Sequence, residues 1–147
     1  MEPSLFILLA DDDADDREFF SEALQEISVN GSVALFRDGR ELMEFIDSEA
    51  AGSPHILFMD LNMPCKGGLE CLQEIRQKAQ FAQMPIAIYS TSSSERDIDL
   101  TYQHGATVYI KKPNDFGKLK KMIHHIMREK WPLQNSPVPR DQFVLTV

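Results

Sequence analysis

The chain has 147 residues, 43% of them hydrophobic and 26% charged, with a formal net charge of −8. That length supports one domain with a sizeable core, and the acidic balance argues against non-specific binding to nucleic acid or to an acidic membrane surface. No apolar run approaches the ~20 residues needed to cross a bilayer. The opening MEPSLFILLADDD lacks the basic segment and small-residue cleavage site of a signal peptide, so a cytoplasmic location is expected. Cys65 and Cys71 have neither CxxC spacing nor histidines at metal-ligand spacing, and both are expected to be reduced, structural thiols.

Apolar runs and helical patterns alternate along the chain. LFILLA (5–10) reads as a strand buried on both faces, and DREFFSEALQEI (16–27) as a helix with Phe19, Phe20, Ala23, Leu24 and Ile27 at helical spacing. Asn30-Gly31 marks a turn before a second strand, SVALF (32–36). Asp38 can cap the helix GRELMEFIDS (39–48), which Gly52-Ser53-Pro54 breaks. HILFMD (55–60) is a third strand and GLECLQEIRQ (68–77) a third helix. Pro85 opens a fourth strand, IAIYS (86–90), and Ser92–Ser94 can cap a weak helix, ERDIDLTYQH (95–104), that Gly105 stops. ATVYIKK (106–112) is a fifth strand, ended by Pro113, and DFGKLKKMIHHIMREKW (115–131) the last helix. The remainder, PLQNSPVPRDQFVLTV (132–147), is a tail with three prolines and an apolar end, either packed on the domain or across a dimer interface.

Five strands alternating with five helices imply an α/β fold, a parallel sheet covered on both faces by right-handed crossovers. In such sheets ligands bind beyond the carboxyl ends of the strands. The groups at those ends are Asp11-Asp12-Asp13, then Asp60, then Ser90-Thr91, then Lys111-Lys112. Taken singly, Asp60 is as consistent with a turn former as with a nucleophile, Ser90 with a core hydroxyl and Lys111 with a surface lysine. Asp13 is expected to cap the first helix, and Asp16 to favour its positive end. Together the strand ends bring carboxylates, a hydroxyl and an ammonium into one cleft. Two carboxylates about 4 Å apart repel by roughly 4 kcal/mol at an effective dielectric near 20, and a lysine plus Mg²⁺ offsets this. The set suits phosphoryl transfer to an aspartate.

These residues resemble receiver domains of two-component response regulators, of the stand-alone CheY-like type. The motifs are the acidic pair after the first strand, MDLNMP…GG after the third, a hydroxyl ending the fourth and KP after the fifth. The resemblance implies a flavodoxin-like (βα)5 doubly wound fold, a five-stranded parallel sheet in the order 2-1-3-4-5. It implies a receiver over residues 1–131, with 132–147 a tail and no separate effector domain. By resemblance Asp60 is the phosphoryl acceptor. Asp11, Asp12, Asp60 and the carbonyl of Asn62 hold Mg²⁺, with Asp12 touching it directly and Asp11 mainly through water. Ser90, Thr91, Asn62 and Lys112 face the phosphoryl group, Ser90 also serves as the switch hydroxyl, and Tyr109 is the aromatic residue that turns inward on activation. Two registers stay open: the acidic pair can slide to Asp12-Asp13, and the lysine doublet offers two candidates. Strand alternation lets only one lysine face the cleft, and the spacing to Pro113 favours Lys112. The chain departs from the common pattern at Asn114-Asp115, at Ser90 in place of threonine, and at Asn62 and Ser92, so the lifetime of a phosphorylated Asp60 is left open.

The expected function is transfer of a phosphoryl group from a sensor histidine kinase or phosphotransfer protein to Asp60, followed by altered protein contact, with a homodimer as one option. The protein would not be an enzyme beyond its own phosphorylation and dephosphorylation. Two rivals remain. An aspartate-nucleophile phosphatase is disfavoured because Asn62 stands where such enzymes need a general acid. A phosphorylation-independent docking module is disfavoured because no acidic or lysine position is lost.

Overall fold

A computed structural model describes residues 4–27, 30–48, 51–129 and 138–145. The elements run β1 (Leu5–Ala10), α1 (Ala14–Glu26), β2 (Gly31–Phe36), α2 (Gly39–Ile46), β3 (Ile56–Met59), α3 (Gly68–Gln77), β4 (Ile86–Ser90), α4 (Glu95–Gln103), β5 (Val108–Lys111), α5 (Phe116–His124), α6 (Arg140–Phe143) and β6 (Val144–Leu145). A π turn over His125–Glu129 continues α5. The expected end of that helix at Trp131, and the boundary at 131/132, lie outside the described residues.

All paired strands are parallel, in the order β2-β1-β3-β4-β5-β6. The strand period of two divides each apolar run between two cores. Ile7, Leu9, Ile56, Phe58, Ala87, Tyr89, Val108 and Ile110 meet α1 and α5. Leu8, Ala10, Leu57, Met59, Ile86, Ile88 and Tyr109 meet α2, α3 and α4. This is why the runs read as continuous rather than alternating: both sheet faces are covered.

The helix starts follow from side-chain caps. Asp13, Asp38, Ser94 and Asp115 each accept backbone N–H groups of the first turn. The departure at Asn114-Asp115 therefore has a local use, since Asp115 caps α5. Gly105 ends α4 at φ +94°, a conformation that favours glycine.

One expectation needs correcting. The sheet has six strands rather than five, because Val144 and Leu145 pair in parallel with Tyr109 and Ile110. Residues 138–145 of the tail pack on their own domain. Phe143 is fully buried, 5.0 Å between ring centroids from Tyr102 and 6.2 Å from Tyr109. The Tyr102 hydroxyl donates to the Val138 carbonyl, and Arg140 bridges Glu95 and Asp99 of α4. A two-residue strand carries no usable periodicity, so the sequence pattern shows only its apolarity.

Phe143→Ala should lower stability by about 3 kcal/mol, the usual cost of emptying a phenylalanine site. Urea unfolding followed by circular dichroism measures this. A loss below ~1 kcal/mol would mean that the tail docks outside the cooperative unit.

Candidate functional site

The carboxyl ends of β1, β3, β4 and β5 meet at one edge of the sheet, as the parallel registers require. Asp11 follows β1 and is fully buried, and Asp60 follows β3 and is 5% exposed. Ligand oxygens of Asp11, Asp12 and Asp60 all lie within 4.8 Å of one another. Asp12 is exposed on the solvent side of this group. Asp13 lies outside the group; its side chain accepts the Asp15 and Asp16 N–H groups as the cap of α1.

The Lys112 ammonium sits among three carboxylates. It is 2.9 Å from Asp60 Oδ2, 2.9 Å from Asp16 Oδ2 and 2.8 Å from Asp11 Oδ2. The first two are hydrogen bonds. The third is an ion pair without hydrogen-bond direction, and it leaves Asp11 Oδ2 with no directed donor. Only 8% of the Lys112 side chain is exposed, and its ammonium lies 5.3 Å from the centroid of the Tyr89 ring. Burial opposes the lysine charge, but its contacts with the Asp11, Asp16 and Asp60 carboxylates outweigh it and hold Lys112 above its ordinary range. Burial pushes Asp11 up, and Lys112 and the Asp13 N–H only partly offset that. Burial also raises the Tyr89 hydroxyl, with the nearby Asp16 adding to it.

Backbone contacts fix this geometry. Asp11 Oδ1 accepts the Asp13 N–H at 3.0 Å, and Arg17 donates to the Asp11 carbonyl at 2.7 Å. Asp60 Oδ1 accepts the Asn62 N–H at 3.3 Å. A β-carbon on Gly68 would lie 2.2 Å from the Asp60 carbonyl oxygen, so α3 can start here only with glycine. Cys65, at φ +68°, centres a tight turn in which the Lys66 N–H donates to the Pro64 carbonyl at 2.7 Å. Cys71 is buried, and burial raises its thiol to about 11.

Ser90 is buried and its hydroxyl accepts the Ser92 N–H at 3.2 Å. Thr91 and Asn62 are exposed. Tyr109 is fully buried and already turned inward, its hydroxyl donating to the Ser92 carbonyl at 2.9 Å. Between the two lysines, the side chain of Lys112 is the one recorded in the carboxylate cluster. Sequence reasoning gave Asp16 no part here and passed over Tyr89 and Arg17. A surplus of acids around the first turn of α1, beyond what a cap needs, was the available signal for Asp16.

A family profile described as "Response regulator receiver domain" matches residues 7–124. The chain belongs to this family. The receiver is similar to Response regulator Rcp1 of Synechocystis sp., at 30% identity over 128 residues, which is 84% of this chain and 87% of that protein. Among solved structures, the phosphorylated cyanobacterial phytochrome response regulator RcpA is 32% identical, with a TM-score of 0.79 over 88% of this chain and 94% of that one. The Mn(2+)-bound form of Rcp1 is 30% identical, with a TM-score of 0.77 over 93% of this chain and 99% of that one. Chemotaxis response regulator CheY4 of Vibrio cholerae is 26% identical, with a TM-score of 0.68 over 84% of this chain and 99% of that one. Among the described residues, no helix of the receiver is long and apolar enough to cross a membrane.

Lys112→Met leaves three close carboxylates without their cation. The Asp11 carboxyl, already pushed up by burial, then loses the lysine that partly offsets that burial and rises further, so the folded protein binds its proton more readily than the unfolded one and stability falls as pH rises through it. The variant should lose about 3 kcal/mol near pH 7, the scale of a broken buried pair. The deficit should shrink toward pH 4 as Asp11 takes up its proton. Urea unfolding across this pH range measures it.

Proposed function

We propose that the receiver accepts a phosphoryl group on Asp60 from a histidine kinase or phosphotransfer protein, and that the phosphorylated form signals by changed protein contact. The observation that carries this reading is the joint placement of the Asp11, Asp12 and Asp60 oxygens within 4.8 Å, with the Lys112 ammonium 2.9 Å from Asp60. Three clustered carboxylates are hard oxygen donors that suit Mg²⁺. Asp11, Asp12 and Asp60, with the Asn62 carbonyl, would hold that ion, which would neutralise charge on the transferring group when bound. The similar structures, a phosphorylated RcpA and a Mn(2+)-bound Rcp1, support the same reading.

In the transfer, a carboxylate oxygen of Asp60 attacks the phosphorus of phosphohistidine in line. The new O–P bond forms as the P–N bond breaks, and the imidazole leaves with the electron pair. Lys112 bonds to the equatorial oxygens, and the Ser90 hydroxyl turns from the Ser92 N–H to another of them. The group adds about −2 charge to a cleft that is already acidic. Ser92 spans the route outward: its N–H meets Ser90, its carbonyl meets Tyr109, and its hydroxyl meets Asp97 of α4 at 2.7 Å.

The kinase or phosphotransfer helix has a ready platform beside the cleft. Phe19 of α1 is 47% exposed, and its ring lies 6.4 Å from that of Phe116 at the start of α5. An apolar pair at the rim of a charged cleft fits a partner helix that carries its phosphohistidine to Asp60.

Acetyl phosphate with Mg²⁺ should retard the receiver on a Phos-tag gel, and Asp60→Asn should abolish the shift. An unshifted wild-type band, under conditions that label a control receiver, overturns the reading. Phe19→Ala should raise the half-saturating concentration of a phosphohistidine donor protein by roughly fivefold while labelling by acetyl phosphate is retained. Equal effects on the two donors would remove Phe19 from the docking surface.

A further inference from the structure

We propose that Asp16 is a positioning residue for metal-assisted phosphoryl acceptance: it draws Lys112 toward α1 and so leaves Asp11 and Asp60 free to bind the divalent cation. This rests on the reading of the cleft given above.

The Lys112 ammonium has three N–H donors and three carboxylates within 2.9 Å, from Asp11, Asp16 and Asp60. Two of these, Asp11 and Asp60, also belong to the oxygen cluster with Asp12; Asp16 does not. An ammonium and a divalent cation therefore compete for the same two carboxylates. Lys112 cannot resolve the conflict by swinging into solvent without giving up its packing, since its side chain is 8% exposed and lies against Tyr89. It needs a carboxylate outside the metal cluster to hold its ammonium in place. Asp16 is that carboxylate. Its backbone is fixed by the cap, through an N–H bond to Asp13 Oδ1 at 3.1 Å, and its side chain is 32% exposed on the cleft side.

The simpler role for Asp16 is a favourable charge in the first turn of a helix. Asp15 meets that condition equally, being acidic, in the same turn and exposed. Comparison of the two separates the roles. Loss of Asp16 concentrates Lys112 on Asp11 and Asp60 and also removes a nearby negative charge. Both changes weaken cation binding. A loss due to bulk charge alone appears in both variants and is screened by salt.

The experiment is isothermal titration of the full chain with Mg²⁺, for wild type, Asp16→Asn, Asp16→Glu and Asp15→Asn, at low and at 0.15 M ionic strength. The dissociation constant of Asp16→Asn should rise roughly fivefold to tenfold, the scale of a lost charge-assisted hydrogen bond. Asp15→Asn should stay within about twofold of wild type. Asp16→Glu keeps the charge and folds as a conservative change; it should recover most of the affinity. With acetyl phosphate, the half-saturating Mg²⁺ concentration of Asp16→Asn should rise while the rate at saturating Mg²⁺ changes much less. Equal affinities for Asp16→Asn and Asp15→Asn overturn the proposal, as does a loss confined to the saturated rate. Absence of Mg²⁺ binding by wild type overturns the reading of the cleft and the proposal with it.

Discussion

The ammonium of Lys112 is the interaction on which the rest of the structure depends. It gathers carboxylates from β1, α1 and β3 onto one cation carried by β5. Without it, charges only a few ångströms apart would repel by several kcal/mol at a protein-like dielectric. With it, each negative group has a partner, and the cleft keeps a net negative charge that a divalent cation can use. The fold supplies this meeting cheaply. Parallel strands put their carboxyl ends at one edge, so residues as far apart in sequence as Asp16 and Lys112, 96 positions, become neighbours without long loops.

A second network carries any change at that edge away from it. Ser92 is bonded to Ser90 on one side and to Tyr109 and Asp97 on the other. Tyr109 in turn packs on Phe143 of the tail. Helix α4 buries only Ile98 and Thr101, and a cavity of about 430 Å³ opens between it and α3. Its thin apolar stripe gives it few buried side chains of its own. The tail compensates, since Tyr102, Glu95 and Asp99 of α4 are all held by residues 138–143. The face that would answer to phosphorylation is thus the face the tail covers.

Much of this was legible in the sequence, for identifiable reasons. Strands buried on both faces leave unbroken apolar runs, and caps such as Asp13 and Asp38 mark helix starts from local chemistry alone. The convergence of the Asp11-Asp12-Asp13 run, Asp60 and the Lys111-Lys112 doublet followed from counting parallel strand ends, while the register within each run rested on the family resemblance and the spacing to Pro113. What escaped were contacts set by side-chain reach. Asp16 looked like an ordinary first-turn acid because nothing local says that it points across to a lysine 96 residues away. Tyr89 looked like core, which it is, while also flanking the ammonium. The sixth strand was hidden because its pairing is long-range and two residues long. Tyr109 was expected to turn inward on activation, but its state depends on the hydroxyl's bond to Ser92 and on Phe143, neither of which periodicity reveals.

The energetics argue that the cleft is kept for chemistry rather than stability. A buried ion cluster recovers at best the solvation it loses, and apolar residues of similar volume often do better. Here the balance is visibly incomplete: Asp11 is fully buried, its Oδ2 has an ion pair without a directed hydrogen bond, and its carboxyl is pushed up by burial. The loop beside it is also costly, with the non-glycine Cys65 held at positive φ and with α3 pressed against the Asp60 carbonyl so closely that a β-carbon would collide. Strain, desolvation and repulsion all concentrate within a few residues of Asp60, while the two cores around them are conventionally apolar. A fold selected for stability alone would replace that edge with a capped turn and one neutral side chain. The acceptor role proposed for Asp60 asks for the opposite: a carboxylate held at the edge of the sheet, beside other oxygen donors and against the Lys112 ammonium.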